Sequence, residues 1–100
     1  MVKHIILWQL KDELSESEKT KIKKDIKVHL EGLSGGIPGL TDIHVHTEGL
    51  ETSNADVMLD SAFTDAVALK GYAVHPEHVK VADTYVRPYT KFRCCFDFEI

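Results

Sequence analysis

The chain has 100 residues, of which 43% are hydrophobic and 28% charged, with a formal net charge of −4. That is apolar material for one core, so a single domain over residues 1–100 is expected; at this size much surface stays exposed, and a partner subunit helps. An acidic balance with no Lys/Arg stripe interleaved with aromatics argues against nucleic acid as a partner, and no run approaches the ~18 apolar residues of a membrane span.

In chain order, Met1-Val2-Lys3-His4-Ile5 leads straight into a strand, with no apolar stretch long enough for a secretory signal. That strand, His4 to Leu10, sets His4, Ile6, Trp8 and Leu10 on one face and Ile5, Leu7 and Gln9 on the other. Ser15 and Glu18 have the spacing of a capping box, opening a helix to about Leu33 with an apolar stripe of Ile22, Ile26, Leu30 and Leu33. Its lysines (Lys19, Lys21, Lys23, Lys24 and Lys27) read as a solvated face. Gly35 and Gly36 end it, and Ile37-Pro38-Gly39-Leu40 makes a stiff turn.

A second strand, about Thr41 to Glu48, carries Ile43 and Val45 on one face and His44 and His46 on the other. A histidine pair at i, i+2 without a third ligand is a weak metal signal, so no metal is expected. A polar loop precedes a third strand, Val57 to Phe63, with Val57, Leu59, Ser61 and Phe63 alternating against Met58, Asp60 and Ala62. Thr64 or Asp65 caps a second helix with Ala66, Leu69 and Tyr72/Ala73 inward. Pro76 breaks it after His75 and suits the first turn of a short helix to about Tyr85. In the last strand, Lys91 to Glu99, Phe92, Cys94, Phe96 and Phe98 are assigned to the helix-covered face, and Arg93, Cys95, Asp97 and Glu99 to the opposite one. Adjacent strand residues point apart, so Cys94 and Cys95 are not expected to bond to each other. With no other cysteine, a reducing, cytoplasmic setting is expected.

The order β-α-β-β-α-β is the split βαβ arrangement of ferredoxin-like folds: α+β, with a four-stranded antiparallel sheet and helices on one face. The other face is expected to carry Ile5, Leu7, Met58, Ala62 and Cys95 beside His44, Asp60, Arg93 and Asp97. Such a mixture is too apolar for open water and too polar for a dry core. Two copies packed sheet to sheet would bury it, giving a homodimer with a barrel-like centre; the alternative is a monomer with a half-solvated sheet.

Several residues together resemble the stress-responsive dimeric α/β-barrel (Dabb) family: Val2-Lys3-His4-Ile5-Ile6-Leu7 leading into Leu10-Lys11-Asp12, the Ile37-Pro38-Gly39-Leu40 turn, Phe63, Ala68-Leu69, and Tyr72 ahead of His75-Pro76-Glu77-His78-Val79. The resemblance runs from about Val2 to Glu99. It implies a homodimer whose sheets face each other. Its members include stress-induced plant proteins and a polyketide cyclase that performs an intramolecular aldol condensation without a cofactor. A related group of dimeric α/β barrels comprises cofactor-free quinol monooxygenases.

On this resemblance Tyr72 and His78 match the cyclase's substrate-holding tyrosine and its general base, His4 projects to the same side of the sheet, and no cofactor is implied. Trp8 and His75 complete the candidate ligand-binding set with His4. The cyclase carries a further pocket histidine near the start of strand three, where this chain has Val57. Chemically, a neutral histidine beside a phenol donor can take a proton α to a carbonyl and stabilise the enolate; at the third position of the short helix, His78 is held neutral by the helix dipole. Beside this stands the structural reading: His78 bridging two helices, Tyr72 in the core, and His75 capping the turn. The functional expectation is a small apolar, aromatic or polyketide-like ligand between sheet and helices; the alternatives are a non-catalytic stress protein or a monooxygenase-like enzyme.

Overall fold

A computed structural model describes residues 1–100. Strands β1 (Val2–Leu10), β2 (Leu40–His46), β3 (Val57–Phe63) and β4 (Thr90–Glu99) form one antiparallel sheet in the order β2-β3-β1-β4. Helix α1 (Glu16–Glu31) links β1 to β2; α2 (Ala66–Val74) and α3 (Pro76–Val81) link β3 to β4, followed by a π-helical turn over Ala82–Val86 and a 3-10 turn over Arg87–Tyr89. The α+β, ferredoxin-like expectation therefore holds.

Local chemistry sets each boundary. Ser15 accepts from the Glu18 backbone N–H while the Glu18 carboxylate accepts from the Ser15 N–H, so both arms of the predicted capping box are made. Asp65 caps α2 through the Ala68 N–H. Gly39 has φ +81°, and a Cβ there would come within 2.4 Å of the Ala68 Cβ, so the turn before β2 closes on α2 only because the residue is glycine. Glu31 accepts from both Lys27 and the Val45 N–H at the β2 edge, and Lys27 also donates to the Val45 carbonyl; this lysine, unlike Lys21, is built into the helix–sheet contact.

The core lies between sheet and helices: Ile6, Trp8 and Leu10 from β1, Ile43 and Val45 from β2, Val57, Leu59 and Phe63 from β3, the α1 stripe Ile22, Ile26 and Leu30, and Tyr72 from α2. Ala68, Leu69 and Tyr72 face inward on α2, while Ala66 and Ala73 are exposed.

The strand-four faces are the reverse of the expectation. Residues paired across an antiparallel ladder share a face, and β4 meets β1 with Trp8 opposite Arg93, Ile6 opposite Cys95 and His4 opposite Asp97. Arg93, Cys95 and Asp97 thus lie on the helix side. Phe92, Cys94, Phe96 and Phe98 join Ile5 and Leu7 on the open side, where Phe92 is 53% exposed and Phe96 68%. A period of two separates the faces without saying which is inside, and the more apolar face is here the uncovered one.

Candidate functional site

The two helices after β3 carry the tyrosine and the histidine of the site. Tyr72 lies in the last turn of α2; the α2–α3 break then turns the chain so that His78 returns onto it. The rings stack with centroids 4.0 Å apart and planes 27° off parallel. Phe63 packs against Tyr72 from below at 5.0 Å, and the His4 ring stands edge-on to it at 6.0 Å. Tyr72 is 1% exposed, yet its hydroxyl has no hydrogen-bond partner within the chain, and neither has the buried Nδ1 of His78. Two unsatisfied polar atoms in one buried place cost stability.

Both lie at an inner cavity of about 110 Å3. Ile6, Trp8, Leu30, Leu59 and Val86 make its apolar wall; His4, Tyr72, His78, Thr90, Arg87 and Arg93 supply its polar groups. The π-helical turn contributes Ala82 and Val86, a widened turn of the kind often found at functional sites. Beyond His4, Leu69, Ala73 and Arg93, which it shares with the inner cavity, an open groove of about 560 Å3 runs between α2 and β4 past Cys95, Asp97 and Glu99.

Burial, the largest influence, pushes the His78 pKa down, as do the nearby charges of Arg87 and His4; the Ala73 and Tyr72 backbone works the other way. The neutral imidazole, the form a base needs, is therefore favoured near neutral pH. Burial pushes the Tyr72 phenol well up, with the Arg93 charge opposing it, so the phenol stays protonated and can donate. His4 holds the Asp97 carboxylate through Nδ1 at 2.5 Å. If that nitrogen carries the proton, Nε2 is left as the ring's acceptor. Cys95 Sγ lies 3.4 Å from the same carboxylate oxygen and 3.8 Å from His4 Nδ1. These three ligand atoms lie within 4.8 Å of one another, the one grouping of metal-ligating type in the chain; their mutual hydrogen bonds account for it.

Four of the five candidate residues, His4, Trp8, Tyr72 and His78, therefore line one cavity. His75 does not: its Nδ1 accepts from the Glu77 N–H at 3.1 Å and caps α3. His44 and His46 point to the open face, with His44 paired to Asp42. Val57 is a core residue. Missed from sequence were Arg93 and Asp97, both displaced by the inverted strand-four assignment. The signal that could have found them was the cross-strand register with His4 and Trp8.

The family model for the stress responsive A/B barrel domain matches residues 2–100. The chain belongs to that family. Olivetolic acid cyclase from Cannabis sativa is 26% identical over 100 residues, covering 97% of this chain and 94% of that protein. A dimeric protein with a ferredoxin-like fold from Bacteroides fragilis superposes with TM-score 0.92 at 30% identity, over 99% of this chain and 95% of its own. The hydroxynitrile lyase of Passiflora edulis superposes with TM-score 0.72 at 16% identity, over 99% and 92% respectively, a likeness of fold alone. Further relatives of the fold, such as one from Thermobifida fusca, are likewise described as dimeric, which supports self-association. No helix is long and apolar enough to cross a membrane.

Proposed function

We propose that this protein binds a small carbonyl-bearing ligand between sheet and helices and carries out acid–base chemistry on it without a cofactor. His78 is the general base, Tyr72 the donor that stabilises the enolate, and His4 a polar partner. The observation that carries this reading is the stacking of a half-buried His78 on Tyr72, whose buried hydroxyl no group of the chain satisfies, at the wall of a largely apolar cavity. A carbonyl or enolate oxygen is the acceptor that hydroxyl lacks. The inner cavity is smaller than the ~300 Å3 of ordinary ligand sites, so the ligand's reactive end sits there and its remainder lies in the outer groove. The curated relative named as a cyclase gives the reaction class support at the level of family.

We further propose that the working form is a homodimer closed through the open sheet face, and that the adjacent free thiols Cys94 and Cys95 belong in a reducing cytoplasm. The test of the chemistry is α-proton exchange into deuterated water, followed by proton NMR on β-keto esters. Wild-type protein is expected to accelerate exchange, and His78→Ala and Tyr72→Phe to abolish the acceleration while both remain folded. Equal rates in all three proteins would leave a binding protein with no such chemistry.

A further inference from the structure

We propose that the ligand of this cavity is an acid, and that Arg93 holds its carboxylate. The inference rests on the cavity being a ligand site, as proposed above, and adds the ligand's charge. Arg93, an exposed residue, is one of four common to the inner cavity and the outer groove, so it borders both. It takes part in none of the seven ion pairs of the chain. The other guanidinium at the inner cavity, Arg87, is paired with Asp83. No carboxylate lines the inner cavity at all. The two acids of the outer groove are Asp97, taken up by His4, and Glu99; neither pairs with Arg93.

Arg93 is not remote from the chemistry. Its charge reaches the Tyr72 phenol and the Cys95 thiol, opposing in each the upward push of burial. Tyr72, whose hydroxyl is buried without a partner, lines the same cavity. A carboxylate offers two oxygens to the planar fork of Arg93, and the Tyr72 hydroxyl is left to the ligand's carbonyl oxygen. The apolar wall sets the rest of the ligand: a cavity of about 150 Å3 lined by aliphatic and aromatic groups holds one benzene ring, and the inner space here is about 110 Å3. The inner space is thus smaller than a benzene-binding cavity, and the class is a short-chain carboxylic acid, or one whose ring extends through the junction into the groove, with its apolar end against Trp8, Ile6 and Leu59.

Trp8 is the chain's single tryptophan and lines the cavity, so its fluorescence reports occupancy. The probes are phenylacetate and its neutral counterpart phenylacetamide, titrated into the full-length protein. Phenylacetate is expected to bind wild type roughly tenfold more tightly than the amide, as a charge-assisted pair requires, with the preference shrinking as salt is raised. Arg93→Leu is expected to remove the preference and leave amide affinity unchanged; Arg93→Lys, which keeps the charge and loses the fork, retains part of it. The proposal is overturned if wild type binds acid and amide equally, if Arg93→Leu keeps the preference, or if the acid fails to bind at millimolar concentration. Acid binding that depends on Arg93 in a protein showing no α-proton exchange would uphold this inference and sink the catalytic one. Exchange that depends on His78, without Arg93-dependent binding, would do the reverse.

Discussion

The two faces of the sheet are incomplete in opposite ways. The helix side is covered by the chain's own helices except for the open groove along β4, and its deficit is polar: a buried phenol and a buried imidazole nitrogen without partners, beside a guanidinium that makes no ion pair. The open side has its polar groups largely matched, with Lys3 bound to Asp60 and His44 to Asp42, and its deficit is apolar: Leu7, Phe92, Phe96 and Phe98 in water. A polar deficit in a small cavity is met by a small ligand. An apolar deficit spread over a sheet is met by another protein surface, and relatives of this fold are described as dimeric. On the proposed reading, one sheet separates chemistry from assembly by the alternation of its side chains.

The comparison is broken most forcefully on the open side. Replacing Phe92 and Phe96 by glutamate removes two aromatic side chains worth about 1.5–3 kcal/mol each when buried. Sedimentation velocity should then show the dimer weakened a hundredfold or more, and an unchanged dimer would locate the interface elsewhere. On the helix side, His78→Ala should cost roughly 10²–10⁴ in exchange rate, the usual worth of a positioned base, with the sedimentation profile unchanged. Loss of the dimer in that variant would mean the faces are not separate.

A smaller and sharper effect is expected at Tyr72. Its hydroxyl makes no hydrogen bond in the free protein, so Tyr72→Phe should leave the melting temperature unchanged or raise it, whereas loss of a made bond costs about 1 kcal/mol. A clear fall in melting temperature would mean the hydroxyl has a structural partner. The smallest effect is on stability against pH. The His78 pKa is lowered below its ordinary 6.5 on folding. The unfolded chain therefore takes up this proton first as pH falls. The stability tied to neutral His78 is complete above pH 6.5 and is lost as pH drops through the folded value. Thermal melts of wild type and His78→Ala should diverge in that window and run parallel above it.

Much of this was legible in the residues. Ser15 and Glu18 announce α1, Pro76 divides α2 from α3, and the alternation of His4, Ile6, Trp8 and Leu10 puts His4 and Trp8 under the helices, where they are found. The sequence was least informative at β4. There Phe92, Cys94, Phe96 and Phe98 look like the core because hydrophobicity marks burial without naming what does the burying. The register with β1 decides it, and register is a long-range fact. Arg93 and Asp97 changed sides with that strand, and with them two charged groups of the candidate site. His75 shows the other limit: a histidine before proline suits a cap as well as a ligand contact, and only the 3.1 Å bond to the Glu77 N–H distinguishes them.

The central claim, that neutral His78 is the base of the helix-side cavity, is tested most directly by the pH profile of β-keto ester α-proton exchange. The rate in wild type should be level near neutrality and fall with an inflection below pH 6.5, because burial lowers the His78 pKa, and that inflection should vanish in His78→Ala. An identical profile in the variant, or a wild-type inflection at or above pH 6.5, would contradict the assignment.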